Sequence, residues 1–395
     1  MRLHLTVFAL PVLTMAALPA PVRAQPPSGW DAFASEFRSY VASDGIVGAS
    51  VLVMRDGRIS ARLDVGDQDR SAHRPVTDQT IFHWGSITKT LTAIAIMQLR
   101  DRGKLSLDDK IVRFVPELRQ LHDPFGALDS ITIRMLLSHS AGFRNGTWPY
   151  GDGKPWEPFE PTSWNQLVAM MPYQELLFRP GSRYSYSNPA FVYLARVVEQ
   201  LSGDPWDAYV QKNIFAPLGM HHSYFRTTPY YLAAFRSHNF AVQRDSASGA
   251  IRTVDNGADF DPGITTPNGG WNAPLSDLAI YSAFLTNIQN GSSQTNYHHV
   301  LSRSSLEEMW KPVVPMAAGY EAAADQHMGL SFFVKGAGDH RIIGHTGSQA
   351  GFRAFFYFNP VTSATVIAVF NTTNTAAPAE ASYRHMHEAA QRLIR

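Results

Sequence analysis

The chain has 395 residues, of which 45% are hydrophobic and 12% aromatic, and this composition is sufficient for a substantial buried core. Its 34 basic and 33 acidic side chains give a formal net charge of +1 at pH 7, so no overall field favours nucleic acid, and we expect a small-molecule or peptide substrate instead. The chain contains no cysteine, which excludes disulfides, a thiol nucleophile and cysteine metal sites.

The N-terminal residues predict a signal for export. Arg2 precedes an apolar stretch over residues 5–18, and the small residues before Gln25 are typical of a cleavage site. A membrane anchor is the alternative, but the apolar stretch is shorter than the roughly 20 residues that span a bilayer, and prolines interrupt it. We therefore expect residues 1–24 to be a signal peptide cleaved near Ala24, and the mature protein to be secreted or periplasmic in a bacterium, with no obligatory membrane association.

A hairpin and several helices are predicted next along the chain. After a helix-like stretch over 30–40, residues 48–66 alternate around Asp56-Gly57, which predicts a β-hairpin with a tight turn. Residues 86–101 predict a helix that ends near Gly103. Further helix-like runs, separated by loops rich in proline, glycine and aromatic residues, occupy residues 131–138, 164–171, 189–201 and 205–215.

The pattern of residues in the C-terminal part of the chain predicts further strands of the sheet that the N-terminal hairpin begins. Runs rich in β-branched and aromatic residues occupy 328–336, 340–360 and 363–373, and residues 382–394 predict a closing helix. A sheet that begins near the N-terminus and is completed near the C-terminus implies an α+β fold with an insertion. We therefore expect an α/β sheet domain over 25–110 and 265–395, and a mainly helical inserted domain over 111–264.

A lysine follows a serine by three residues at the start of the helix over 86–101. Positions i and i+3 share one helix face, so the Ser86 hydroxyl and the Lys89 ammonium are able to meet. The apolar residues that follow leave Lys89 little solvent, and a buried ammonium costs free energy unless it is paired or its pKa falls. The pair alone is weak evidence, because an ordinary helix start with a lysine that extends to solvent has the same spacing.

Two further motifs carry polar side chains that are suited to catalysis. The stretch PGSRYSYSN places Tyr186 and Asn188 just before a helix-like run, where a phenol near a lysine is able to act as a general base; the alternative is an asparagine helix cap beside a half-buried tyrosine. The stretch GHTGSQAGF ends a predicted strand, and its alternative interpretation is a glycine-rich strand end. Its polar and glycine positions are His345, Thr346, Gly347 and Ser348.

Together, and in this order, the three motifs resemble those of the penicillin-recognising serine hydrolases, which include class C β-lactamases, D,D-peptidases, D-aminopeptidases and related esterases. The resemblance extends over nearly the whole chain after the signal and includes LLSHSAGF (136–143) and NGGWNAPLSDLAIYSAFL (268–285). It implies the β-lactamase and penicillin-binding-protein-like transpeptidase fold, with an antiparallel sheet flanked by helices and a mainly helical insertion. It also implies that the three motifs share one pocket, which their spacing alone would not show.

The resemblance implies a role for each motif residue. Ser86 is the nucleophile that forms an acyl-enzyme, and Lys89 and Tyr186 exchange its proton, although which of the two is the formal base stays open. Asn188 orients the acyl side chain, and the other implied substrate-binding residues are His345, Thr346 and Gly347. The implied oxyanion-hole donors are the backbone N–H groups of Ser86 and Ser348.

One position departs from the family. His345 stands where most β-lactamases carry lysine, and an imidazole is only partly charged near neutral pH, so a fixed cation for a substrate carboxylate is missing. We expect this to disfavour β-lactamase action, and we expect kcat/KM toward a carboxylate-bearing substrate to fall as the pH rises through the pKa of His345. Arg353 either supplies the missing cation or is an exposed strand residue. His139 is expected to make a local structural hydrogen bond at a helix end.

We expect no cofactor and no metal, since the adjacent pairs His221-His222 and His298-His299 are not spaced to hold one ion. The sequence thus predicts an exported serine hydrolase that acts on D-amino-acid-containing peptides or amides. The alternatives are a promiscuous carboxylesterase, a weak class C-like β-lactamase, or a penicillin-binding sensor with little turnover. Amides, lactams and esters can all react at such a site, and the shape of the pocket, to which the aromatic loop over 144–162 contributes, decides which of them is the substrate. The sequence does not fix the oligomeric state.

Overall fold

A computed structural model describes residues 25–146, 161–244, 248, 250–286, 297–316 and 325–395. The predicted signal peptide and the loop tryptophans Trp148 and Trp156 lie outside the described residues. No helix in the described part of the chain is long and apolar enough to cross a membrane.

The main sheet has nine antiparallel strands and joins the two ends of the chain, as the sequence predicts. Its order is β3-β2-β1-β14-β13-β12-β11-β10-β9, so the N-terminal hairpin pairs with the C-terminal strand β14. The strands are β1 (Gly48–Arg55), β2 (Arg58–Asp69), β3 (Arg74–Pro75), β9 (Val314–Pro315), β10 (Gln326–Met328), β11 (Phe333–Lys335), β12 (Ile342–Gln349), β13 (Phe352–Phe358) and β14 (Thr365–Phe370).

The helices cover both faces of this sheet and form most of the insertion. They are α1 (Trp30–Ser43), α2 (Thr88–Asp101), α3 (Ile133–Leu137), α4 (Trp164–Met170), α5 (Asn188–Ser202), α6 (Trp206–Val210), α7 (Ala216–Leu218), α8 (Thr266–Gly269), α9 (Leu275–Thr286), α10 (Arg303–Met309) and α11 (Ala377–Arg392). One apolar core lies between the sheet and the terminal helices α1 and α11, and a larger one contains α2, α5 and α9. The hairpin turn has the left-handed conformation at both Asp56 (φ 50°) and Gly57 (φ 69°), as a two-residue β-turn of this kind requires.

Two smaller sheets complete the fold. One contains β4 (Ile81–His83), β5 (Tyr224–Phe225) and β8 (Trp271–Pro274), and the other contains β6 (Phe240–Arg244), β7 (Ile251–Asp255) and β15 (Thr372–Thr373). The hairpin of β6 and β7 is not predicted by the sequence analysis, which expects this interval to be mainly helical. Strand β6 pairs in parallel with β15, so this part of the insertion is bonded to the C-terminal end of the chain.

Candidate active site

Ser86 is the exposed point of an otherwise buried segment. Every residue from 80 to 99 is buried except Ser86, which is half-buried in the turn that leads from β4 into α2. The preceding residue, Gly85, has φ 51°, and a Cβ built on it would lie 2.8 Å from the backbone nitrogen of Ser348. The turn therefore packs directly on β12, and the absence of a side chain at position 85 permits this approach.

Lys89 is fully buried, and its side-chain nitrogen donates hydrogen bonds to two oxygen atoms. Its Nζ donates to Ser86 Oγ at 3.0 Å and to the backbone oxygen of Asn268 at 2.8 Å. The same Nζ lies 4.9 Å from the centre of the Tyr186 ring and 5.6 Å from that of Phe191. The spacing of serine and lysine thus produces a direct contact, and the desolvation of the ammonium is offset by two hydrogen bonds and two aromatic faces.

The loop that carries Tyr186 and Asn188 ends at the start of α5. Ser187, not Asn188, is the helix cap, because its Oγ accepts the N–H of Ala190 at 3.3 Å. Asn188 is the first helical residue, and its Nδ2 donates to Asn145 Oδ1 at 3.2 Å. Tyr186 is half-buried with its ring between α2 and the turn after α3.

The strand β12 places His345 on a different side from the rest of its motif. Thr346, Gly347 and Ser348 line a cavity, whereas His345 is fully buried and stacks on Phe333 with ring centres 4.6 Å apart. Burial, and then the nearby charge of Lys89, lowers the pKa of His345 from 6.5 to about 3. The structure therefore contradicts our expectation that His345 binds a substrate carboxylate as an imidazolium near neutral pH.

Arg353 is neither exposed nor an uncompensated cation. It lies directly across from Ser348 in the pairing of β12 with β13, and it is buried. Its guanidinium forms an ion pair with Glu380 at the start of α11 and lies 4.6 Å from the centre of the Tyr383 ring. The carboxylate of Glu380 offsets the charge that Arg353 would offer to a substrate.

The cavity in front of Ser86 has a volume of about 460 Å³. The end that contains the motif residues is lined by Ser86, Tyr186, Thr346, Gly347 and Ser348, and the cavity continues between the sheet and α11. Lys89, Asn188 and His345 are not among its lining residues. The structure thus brings all three sequence motifs together, with Lys89 and His345 buried behind the wall that a substrate would contact.

Several contributors to the site were not found from the sequence. Asn268 provides the carbonyl that accepts from Lys89 and also donates its amide to the backbone oxygen of Asn188 at 3.2 Å. Asn145 binds the side chain of Asn188. His139 does not make the local hydrogen bond that we expected, because its Nδ1 accepts the N–H of Ser187, 48 residues away. These contacts join segments that are distant in sequence, so no local sequence pattern predicts them.

One group of potential metal ligands is present among the described residues. Ligand atoms of Asp69, His238 and Asp255 lie within 4.8 Å of one another. These side chains already form ion pairs, since Asp69 contacts Arg74 at 2.7 Å and His238 contacts Asp255 at 2.9 Å. That the protein binds no metal stays a prediction.

Comparison with known proteins supports the assignment of fold and family. A family model described as Beta-lactamase matches residues 33–391. Esterase EstB of Burkholderia gladioli is 36% identical over 188 residues, which amount to 44% of this chain and 46% of the esterase. The chain thus aligns with about half of the length of that relative.

Two solved structures share the fold over most of the chain. The octameric penicillin-binding protein homologue from Pyrococcus abyssi is 26% identical, with a TM-score of 0.72 over 91% of this chain and 77% of the other. The D-amino acid amidase from Ochrobactrum anthropi SV3 is 19% identical, with a TM-score of 0.73 over 92% of this chain and 97% of the amidase. At that identity the amidase demonstrates the fold alone.

Proposed function

The chain belongs to the Beta-lactamase family and is a serine hydrolase, and from this premise we propose that it hydrolyses the amide bond of D-amino-acid amides or of peptides with a D-residue on the acyl side. The acyl group is carried on Ser86 during the reaction. The proposal deepens the family assignment with the geometry of one residue, His345, which supplies no cation at its position in the third motif.

The contacts around Ser86 support an acylation and deacylation mechanism. Ser86 Oγ attacks the substrate carbonyl while its proton passes to the Lys89 and Tyr186 pair, which accepts it either on a neutral Lys89 amine or on a Tyr186 phenolate beside the Lys89 ammonium. The Lys89 Nζ lies 3.0 Å from Ser86 Oγ, within reach of direct transfer. The same pair returns the proton to the leaving nitrogen. A water molecule then repeats the sequence on the ester, and the acid product and free Ser86 are formed.

The oxyanion would be bound by the backbone N–H groups of Ser86 and Ser348. The close packing of Gly85 on Ser348 brings the amide of Ser348 beside the segment that carries Ser86. Each such donor contributes very roughly 3 kcal/mol of transition-state stabilisation in comparable sites. Asn188 is fixed by Asn145 but does not line the cavity, so its proposed role in binding the polar part of the acyl group rests on the family resemblance.

The buried, neutral His345 is the observation that carries the choice of substrate. Its pKa of about 3 means that it supplies no cation at neutral pH, and Glu380 offsets the charge of Arg353. A substrate whose leaving group bears a carboxylate, such as a penicillin or a peptide ending in a free D-amino acid, would therefore find no cation at the motif position itself. The other basic residues in the cavity lining are Lys335 and Arg384. An unsubstituted amide has no such charge, so it does not need a cation at this position.

A carboxylesterase is the second candidate, and the identity of 36% to the aligned part of Esterase EstB favours it. Simple esters also lack a carboxylate, so the absence of a cation at His345 does not separate the two candidates. Their leaving groups differ in the need for protonation, since an alkoxide leaves more readily than an amide nitrogen.

The test compares four compounds on one enzyme preparation. D-phenylalanine amide, L-phenylalanine amide, p-nitrophenyl acetate and a fluorescent penicillin are incubated with the protein and with Ser86→Ala, and turnover and intact mass are followed. We expect turnover of the D-amide above the L-amide and no persistent penicillin adduct. Ester turnover without amide turnover would move the assignment to an esterase, a persistent penicillin adduct would support a sensor, and activity that survives Ser86→Ala would refute the mechanism.

We also propose that the protein is exported, on the basis of residues 1–24 alone. N-terminal sequencing of protein from the periplasm or medium of an expressing bacterium should begin at Gln25. A chain that retains Met1 would contradict the cleavage.

A further inference from the structure

His139 contacts the Tyr186 segment in three ways. Its backbone oxygen accepts the N–H of Ser185 at 2.8 Å, and its Nδ1 accepts the N–H of Ser187 at 3.0 Å. Its ring stacks on that of Tyr186, with ring centres 4.3 Å apart and planes inclined by 26°. The backbone of His139 therefore fixes the residue before Tyr186, and its side chain fixes the residue after Tyr186 and one face of the phenol ring.

The position of His139 is itself constrained. The residue is 1% exposed and follows α3 with φ 55°, a left-handed conformation that histidine and asparagine adopt more readily than most residues. Its Nε2 is buried and has no hydrogen-bond partner among the described residues.

The hydrogen bond to Ser187 also fixes the protonation of the ring. Because Nδ1 accepts an N–H, it carries no proton, so the neutral ring has its proton on Nε2. Burial, followed by the charge of Lys89 and the neighbouring His345, holds the pKa of His139 well below 6.5. An imidazolium would present a second donor to the Ser187 N–H and lose this bond.

We propose that His139 is a positioning residue for acylation, which holds the Tyr186 phenol in the place from which it exchanges a proton with Ser86 and Lys89. The inference rests on the proposed roles of Ser86 and Tyr186. His139 does not line the cavity, so its effect on the reaction passes through Tyr186.

Two substitutions separate the hydrogen bond from the rest of the side chain. His139→Ala removes both the acceptor and the stacked ring, whereas the Oδ1 of His139→Asn lies near the position of Nδ1 and suits a left-handed backbone. A misplacement of about 1 Å costs on the order of 100-fold in rate. We expect His139→Ala to lower kcat for p-nitrophenyl acetate by about that factor with KM changed by less than about threefold, and His139→Asn to retain kcat within about tenfold of wild type.

The matched control is His73→Ala. His73 also has a left-handed backbone, with φ 52°, but it is exposed in the β2–β3 turn region. The His73→Ala substitution should leave kcat unchanged. Urea unfolding of each variant shows whether it is folded, and His139→Asn keeps the test open if His139→Ala does not fold.

A double-mutant cycle tests whether the effect passes through Tyr186. In a Tyr186→Phe background, where the ring remains but the hydroxyl is absent, His139→Asn and His139→Ala should lower the residual acylation rate by less than about twofold. Equal losses in the two backgrounds would overturn the inference while the proposed function stands. Release of p-nitrophenol that survives Ser86→Ala would instead refute the proposed function, so the two failures are distinguishable.

Discussion

Lowering the pH should destabilise this protein steeply, because four of its described histidines are held neutral in the folded state. Burial is the first cause at each, and positive charge from Arg236, Lys89 or Arg353 adds to it. The pKa values are about 4 for His83 and about 3 for His345 and His387, and that of His139 is also well below 6.5.

The sign and size of the effect follow from proton binding. In the unfolded chain each of these rings takes up a proton as the pH falls through about 6.5, whereas the folded state does not, so the free energy of unfolding falls as the pH falls. Each ring contributes up to about 1.4 kcal/mol per pH unit, and four give about 5 kcal/mol per unit near pH 5.5. That is a third or more of the stability of an ordinary domain. The loss ends only as the pH passes below the folded pKa values, from about 4 for His83 to about 3 for His345 and His387.

Asp277 acts in the opposite direction. Burial raises the pKa of its carboxyl above 3.8, so the folded state takes up this proton before the unfolded state does. Burial also raises the pKa of Asp44 above 3.8, so these two carboxyls together offset at most two histidines, and they act at lower pH.

Urea unfolding followed by tryptophan fluorescence at pH 7.0, 6.0, 5.5 and 5.0 measures this slope. We expect about 5 kcal/mol per unit near pH 5.5, and His345→Gln should lower the slope by about 1.2 kcal/mol per unit. The exposed His340→Gln is the matched control. A wild-type slope below about 1.5 kcal/mol per unit would refute the neutral burial of these rings.

Three further predictions concern the cavity. Gly85→Ala would place a Cβ 2.8 Å from the nitrogen of Ser348, so kcat for p-nitrophenyl acetate should fall by about 100-fold or more, as when one oxyanion donor is lost; a change below threefold would contradict this packing. For a carboxylate-bearing substrate, the pH profile of kcat/KM near pH 6.5 should be the same for the wild type and for His345→Gln, because the His345 ring is already neutral there. An inflection that is present in the wild type and absent in the variant would contradict this. Glu380→Gln removes the charge that offsets Arg353, so it should lower KM several-fold for carboxylate-bearing substrates only; an equal change for neutral substrates would oppose a charge effect.

The order of the main elements could be predicted because each depends on local pattern. The turn at Asp56-Gly57, the buried run after Lys89 and the β-branched strands near the C-terminus all carry their periodicity in a short window. The hairpin of β6 and β7 was missed, since its strands are polar and half-exposed, and its pairing with Thr372–Thr373 joins residues some 130 positions apart. Loop closure over that distance leaves no local trace.

The motif residues could be found, but their orientation could not. Along a strand successive side chains point to opposite faces, so His345 and Thr346 were bound to differ, and which of them faces solvent depends on which side of β12 the helices α2 and α11 occupy. From the sequence, both residues were expected to contact the substrate. Packing assigned His345 to the side of Lys89 and Tyr186, where burial removes its charge. The same packing places His139 against Tyr186. The two histidines, which lie about 200 positions apart in the sequence, therefore both contact the Tyr186 ring as buried, neutral groups, and Lys89 is left to contact Ser86 directly.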